Sequence, residues 1–185
     1  MTLKFRNITI RDAKMSDAGL LTEWWNDGSI MAHAGFPDGL GTNIEKVKRG
    51  LSSPGRLIIE YDRNPIGEMS YEFFEKGKKA LCSGYVVSDE RGAAEIGIKL
   101  CVADLREKGI GRICLSMLIS ELFRRGVGEV ILDTMENNSR ARHVYELLGF
   151  ERLRINKNVW TSPAGTAYSS VDYRLAPENF KDFTK

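Results

Sequence analysis

Gly109 and Gly111 stand in the run Arg106-Glu107-Lys108-Gly109-Ile110-Gly111-Arg112, directly ahead of a long apolar helical pattern. A glycine turn that feeds a helix leaves unpaired backbone amides and the positive end of the helix dipole facing one spot, which suits a phosphate. Small residues at both positions let such a group approach the backbone. One chemistry for this turn is a dinucleotide site, with Asp133, about twenty residues on, as the ribose-binding acid of an NAD-dependent oxidoreductase. Against it, Cys114 stands where a third glycine is needed, and no second mononucleotide half follows.

The elements that must position these residues follow from periodicity. Residues 8–11 alternate as a strand, and Ser16-Asp17 introduces a helix carrying Leu20, Leu21, Trp24 and Trp25. Residues 26–42, rich in glycine with Ile30, Met31 and Phe36 interleaved, read either as a long binding or lid loop or as a packed second helix around residues 29–34. Asn43 starts a helix to about residue 51. Residues 57–61 and 66–74 read as a hairpin around Asp62-Arg63-Asn64-Pro65. Residues 76–79 look like an exposed turn, followed by a short strand at residues 83–87. Residues 94–102 alternate clearly, with Ile96, Ile98, Leu100 and Val102 on one face and Glu95, Gly97, Lys99 and Cys101 on the other.

The helix after Gly109 has an apolar stripe so broad that it must press against a sheet. Val130-Ile131-Leu132 is the apolar run of a strand covered on both faces. Strand, helix, strand in this order gives a parallel pair with a right-handed crossover. Asn138 caps a helix whose apolar positions are Ala141, Val144, Tyr145 and Leu148, stopped by Gly149. Residues 151–160 and 166–175 form a last strand pair around Ser162-Pro163-Ala164-Gly165. The polar tail, residues 176–185, is expected to be loosely held.

Arg106-x-x-Gly109-x-Gly111 at a helix start, then a strand, then Asn138-x-x-Ala141-x-x-x-Tyr145 and Leu148-Gly149-Phe150, resembles the acetyl-CoA site of the GNAT-type acyl-CoA N-acyltransferases. The branch it resembles holds ribosomal-protein N-terminal and aminoglycoside 6'-N-acetyltransferases. The motif-bearing part covers residues 95 to about 153, and the flanking order of elements fits the family over the whole chain. The resemblance implies an α/β fold with a mixed, predominantly antiparallel sheet, a central parallel strand pair and flanking helices, as one domain over residues 1–185. It implies direct transfer of an acetyl group from acetyl-CoA to a primary amine in a ternary complex.

By the same resemblance, Arg106, Glu107, Lys108, Gly109, Ile110, Gly111 and Arg112 hold the pyrophosphate, Arg140 and Arg142 reach the adenosine end, and the backbone of Cys101, Val102 and Ala103 pairs with the pantetheine arm. Asn138 touches the same arm while also capping its helix, and Ala141 of that helix is a further cofactor-binding residue. Tyr145 is the general acid for the leaving thiolate, and Glu95 stands where histone-type members carry a general base. Asp133 stands where aminoglycoside 6'-N-acetyltransferases carry an acid for a cationic acceptor, and Trp24-Trp25-Asn26-Asp27 resembles the branch's first-helix ending, which puts Trp24 and Asp27 on the acceptor side. Those aminoglycoside enzymes typically also carry an acid at the place of Lys99, so this chain departs from them there. Members often pair through the last strands, which implies a homodimer. Two further readings share the turn: a different acyl-CoA donor, and a non-catalytic acyl-CoA sensor.

Composition narrows the partners. A formal net charge of +2 with both signs mixed along 185 residues lacks the concentrated basic footprint of a nucleic-acid binder. Cys82, Cys101 and Cys114 show no C-x-x-C spacing, so neither a disulfide framework nor a zinc site is expected, and no metal constellation is seen. No apolar run could span a bilayer, and a cytoplasmic protein with a small-molecule or peptide amine as acceptor is the expectation. Glu23, Asp27, Glu68, Glu72, Asp133 and Glu136 are the acids that would suit a cationic amine, and His33 and His143 read as structure.

Overall fold

The computed structural model describes residues 1–80, 84–161 and 165–185. Cys82, the start of the strand expected at residues 83–87, and Ser162, Pro163 and Ala164 of the expected turn lie outside the described residues. Eight strands, β1 (Thr2–Phe5), β2 (Ile8–Asp12), β3 (Arg56–Tyr61), β4 (Asn64–Phe74), β5 (Ala93–Leu100), β6 (Glu129–Met135), β7 (Glu151–Thr161) and β8 (Ala167–Leu175), form one sheet in the order β1-β2-β3-β4-β5-β6-β8-β7. The helices are α1 (Ala18–Asn26), α2 (Gly28–Met31), α3 (Ile44–Leu51), α4 (Ile110–Arg124) and α5 (Ser139–Leu148). The sheet is mixed, with β5 and β6 parallel across α4. A dinucleotide fold needs a doubly wound parallel sheet, so the oxidoreductase reading of the glycine turn fails on topology. The parallel register ends at Glu95↔Ile131, although β5 runs on to Leu100 and β6 to Met135.

By its internal contacts the chain forms two compact units, Met1–Ser70 with Ile98–Gly111, and Tyr71–Gly97 with Arg112–Lys185. In the first unit, β3 and β4 form the expected hairpin, turned by Asp62 and Arg63 with φ of 49° and 67°. Two left-handed residues are what a two-residue hairpin turn requires. β4 starts at Asn64, earlier than residue 66, because Pro65 sits beside a register shift between Ile59 and Glu60, where a residue without an N–H is tolerated. Ala18, Leu21 and Trp24 of α1 pack with Ile30, Val47, Ile58 and Cys101 into a core. Of the two readings for residues 26–42, the packed helix is the one observed: α2 buries Ile30 and Met31, and the Asp27 carboxylate accepts from the Ser29 amide at 2.8 Å as its cap.

In the second unit, β6 and β8 pair antiparallel, with Asp133 directly opposite Asp172. Asn138 caps α5 as expected, its Oδ1 accepting from the Ala141 amide at 3.2 Å. Gly149 ends the helix at φ 97°, and an added Cβ would collide with the Asn179 carbonyl. That contact belongs to a correction: the tail is not loosely held. The Lys181 amide donates to the Leu148 carbonyl at 2.9 Å, the Ser120 hydroxyl donates to Asp182 at 2.9 Å, and Phe180 packs edge-on to Phe123. Polar composition hid this docking because a few hydrogen bonds and two rings hold the segment. Of the strand expected at residues 83–87, only a bridge between Lys79 and Val86 is present among the described residues.

Candidate active site

The glycine turn is built as its sequence suggested. A 3-10 turn over Ala103–Leu105 leads into it, Glu107 and Gly109 take left-handed φ of 62° and 78°, and α4 begins at Ile110. Gly109 is therefore required by the backbone. Gly111 is not: a Cβ there would meet only the Leu100 Cδ1 at 3.6 Å, an ordinary contact. The fold has no need of a glycine at 111, which fits a group outside the chain that approaches this backbone closely. The Arg106 Nε donates to the Leu100 carbonyl at 3.0 Å, so its side chain braces the turn, while Lys108 is exposed. Arg142 is occupied within the fold, donating to the Tyr173 hydroxyl at 3.3 Å and to the Glu136 carbonyl at 3.0 Å, which takes it away from an adenosine role.

Around the end of β5, the first unit holds an ionic cluster that the sequence did not reveal. Glu68 is 1% exposed and accepts from Trp25 Nε1 at 2.8 Å, Lys99 Nζ at 3.0 Å and Arg56 Nη1 at 3.0 Å, and the Arg56 guanidinium lies 5.0 Å over the Trp25 ring. Burial pushes the Glu68 carboxyl up, but Lys99 and Arg56 outweigh it and hold it below its ordinary range. Lys99 is thus the partner of a buried carboxylate, which gives its departure from an acid a physical reason. Glu68 is correspondingly removed from the acids that could meet a cationic acceptor. Trp24, expected on the acceptor side, is instead a core residue at 9% exposure, and Trp25 is the member of the pair that carries a polar contact. Asp27 is exposed and capped onto Ser29, whose hydroxyl and amide hold its carboxyl below the usual range. Val102 and Ala103 are exposed.

Burial, and to a smaller extent the negative charge of Glu68, push the Cys101 thiol up to about 12. Burial alone does the same to Cys114. Neither is a thiolate near neutral pH, so neither is primed as a nucleophile.

The second unit gathers the expected acid and base residues. Tyr145 is 7% exposed and packs against Phe150 and Tyr173, each with ring centroids 5.8 Å away. Its hydroxyl has no hydrogen-bond partner among the described residues. Burial first, then Asp133 and Tyr173, raise the phenol well above its ordinary range, so it keeps its proton. Asp133 is pushed up to about 6 by burial, then by the charges of Glu95 and Asp172. Glu95 is buried. Asp172, which sequence reasoning missed, is buried and held by Arg154 Nε at 2.6 Å and Asn156 Nδ2 at 2.8 Å. Its only signal is the register that sets it across from Asp133, and register is invisible in one sequence. Glu136 is paired with Lys157 at 2.8 Å, and His33 and His143 are exposed. Among the described residues no group of histidine, cysteine and carboxylate side chains is arranged to hold a metal ion.

A phenol that keeps its proton and, near it, a carboxyl raised by burial and by neighbouring carboxylates are groups that acid–base chemistry can use. The family model for the acetyltransferase (GNAT) family matches residues 20–150. The chain belongs to the GNAT acetyltransferase family. It is accordingly an acetyl-CoA-dependent N-acetyltransferase. Solved structures agree on the fold. A ribosomal-protein-alanine N-acetyltransferase from Brucella melitensis is similar with TM-score 0.71 at 21% identity, over 90% of this chain and 98% of that one. The ribosomal L7/L12 alpha-N-protein acetyltransferase RimL, in complex with coenzyme A, gives TM-score 0.73 at 14% identity, over 95% and 98%. The protein yncA from Salmonella typhimurium, with its cofactor acetyl-CoA, gives 0.66 at 20%, over 92% and 94%. A search of curated protein sequences finds no significant match.

Proposed function

We propose that this acetyltransferase transfers acetyl directly to a cationic primary amine, with a protein N-terminus as the first candidate and polyamines and small-molecule amines as the others. The observation that carries this reading is Asp133, a largely buried carboxyl raised to about 6 beside Glu95 and Tyr145. An ammonium entering such a site relieves the repulsion among the carboxylates, and a carboxylate poised near neutrality accepts its proton. The neutral amine nitrogen then bonds to the acetyl carbonyl carbon as the carbon–sulfur bond breaks, Tyr145 gives its phenolic proton to the departing sulfur, and the phenol regains a proton from the nitrogen, which sheds one as the amide forms. Glu95 and Asp133 share the base role. The protonated thiols of Cys101 and Cys114 favour direct transfer over a cysteine acyl-enzyme.

For the donor, the amides of residues 106–112 take the pyrophosphate, with the small Gly111 as support. The backbone of Cys101, Val102 and Ala103 pairs with the pantetheine arm, and Asn138 and Ala141 lie along it. Asp27 is the acceptor-side residue of the first unit. The family match at residues 20–150 draws on both compact units, which supports one working domain over residues 1–185. A homodimer through β7 is supported by its edge position in the sheet and by exposed Leu153, Ile155 and Val159. The reduced, buried Cys101 and Cys114 suit a cytoplasmic location, and no helix among the described residues is long and apolar enough to cross a membrane.

The test is an acceptor screen by thiol release from acetyl-CoA, spanning peptides with free N-termini, polyamines and aminoglycosides. Release that depends on the amine, with acetyl found on its nitrogen, supports the reading. Binding of coenzyme A with no amine-dependent release would make the chain an acyl-CoA sensor instead.

A further inference from the structure

The C-terminal tail does more than cover the fold. From Phe180 to Phe183 it follows α4 back toward the start of that helix, one contact per turn: Phe180 on Phe123, Asp182 on Ser120, the Phe183 amide donating to the buried Ser116 hydroxyl at 3.1 Å, and the Phe183 ring under Arg112. The Arg112 guanidinium carbon lies 4.2 Å from that ring's centroid. Asp182 locks the end of the segment by accepting from the Thr184 amide at 2.8 Å and hydroxyl at 2.6 Å. Arg112 sits in the first turn of α4, immediately after Gly111. Among the described residues it has no ion pair and no side-chain hydrogen bond, and its Nε is wholly buried without a partner.

An arginine stacked on a ring has one face covered and its N–H edge left in plane, aimed by the ring. The Nε is closed off by the packing, whereas the two terminal nitrogens are neither buried nor engaged by an acceptor among the described residues, so the open end of the fork is left for an anion. Arg112 is the residue that follows the pyrophosphate turn, and the anion that fits is a phosphate, for which the guanidinium edge is a bidentate match. We propose that the tail is part of the donor site, with Phe183 as a positioning residue that holds Arg112 as a phosphate-binding fork for coenzyme A. This rests on the reading of residues 106–112 as the donor's phosphate turn and extends it to the end of the chain.

The experiment is a double-mutant cycle on coenzyme A binding by titration calorimetry, which needs no acceptor. Phe183→Leu keeps apolar bulk and removes the ring face, and should raise the Kd for coenzyme A about 3- to 10-fold. Arg112→Gln should raise it about 10-fold or more. In the Arg112→Gln background, Phe183→Leu should add almost nothing, because the ring acts through the guanidinium. A merely structural tail would cost the same factor in both backgrounds, and that result, or wild-type affinity in Phe183→Leu, overturns the proposal. Failure of the wild type to bind coenzyme A overturns it together with the reading it rests on. Repeating the cycle with 3'-dephospho-coenzyme A assigns the phosphate: an Arg112→Gln effect that persists points to the pyrophosphate, one that vanishes to the 3'-phosphate.

Discussion

Asp133→Asn should make the protein more stable and less active at the same time. The Asp133 carboxyl rises from its ordinary 3.8 to about 6 because it is buried and faces the charges of Glu95 and Asp172. A rise of about two in pKa, at about 1.4 kcal/mol each, is an electrostatic cost of up to ~3 kcal/mol carried by the ionised folded state. The sign follows from linkage. The folded state binds the proton more tightly than the unfolded state, so the cost grows as pH rises from 3.8, is complete above 6, and disappears below 3.8. Asparagine keeps the shape and removes the charge, so denaturant titration at pH 8 should show a gain of about 1–3 kcal/mol, which for this chain length is a rise in Tm of roughly 2–12 °C. At pH 4 the gain should be small. Meanwhile kcat/KM for the amine should fall at least about 10²-fold at neutral pH, as expected for loss of a proton acceptor. Equal stabilisation at both pH values, or a loss of stability at pH 8, would refute the assignment of the shift to burial and like charge.

The two glycines of the turn should separate. Gly109→Ala places a side chain at φ 78° and should destabilise by about 1–2 kcal/mol in urea titration. Gly111→Ala, with only Leu100 nearby, should leave stability unchanged or slightly improved, while coenzyme A affinity by calorimetry falls about 10-fold. Glu68→Gln leaves Lys99 and Arg56 facing each other over a neutral side chain, and should cost about 3 kcal/mol of stability in the same titration.

How much the sequence disclosed depended on whether the signal was local. The glycine turn, the Asn138 cap and the Gly149 stop are local devices, each set by a few neighbouring residues, and all three stand where periodicity and capping rules put them. Trp24 and Trp25 were harder, since adjacent residues on a short helix both look apolar. Only the i, i+3 alignment of Trp24 with Leu21 and Ala18 sends it to the core, leaving Trp25 to reach Glu68. The Glu68 cluster joins residues 25, 56, 68 and 99, and the Asp133–Asp172 pairing joins neighbouring strands far apart in the chain. Such meetings depend on register and packing, which carry no mark in a single sequence. The tail misled for the opposite reason: its composition resembles a free end, and its order comes from partners on α4 and at the end of α5.

The most direct test of the chemistry is turnover by Tyr145→Phe, because the hydroxyl it removes has no hydrogen-bond partner among the described residues. Acetyl-CoA affinity and Tm should match the wild type, while kcat for thiol release with the best amine falls about 10²- to 10⁴-fold from pH 6 to 9. Undiminished kcat at neutral pH, with acetyl-CoA binding intact, would contradict Tyr145 as the acid that protonates the leaving sulfur.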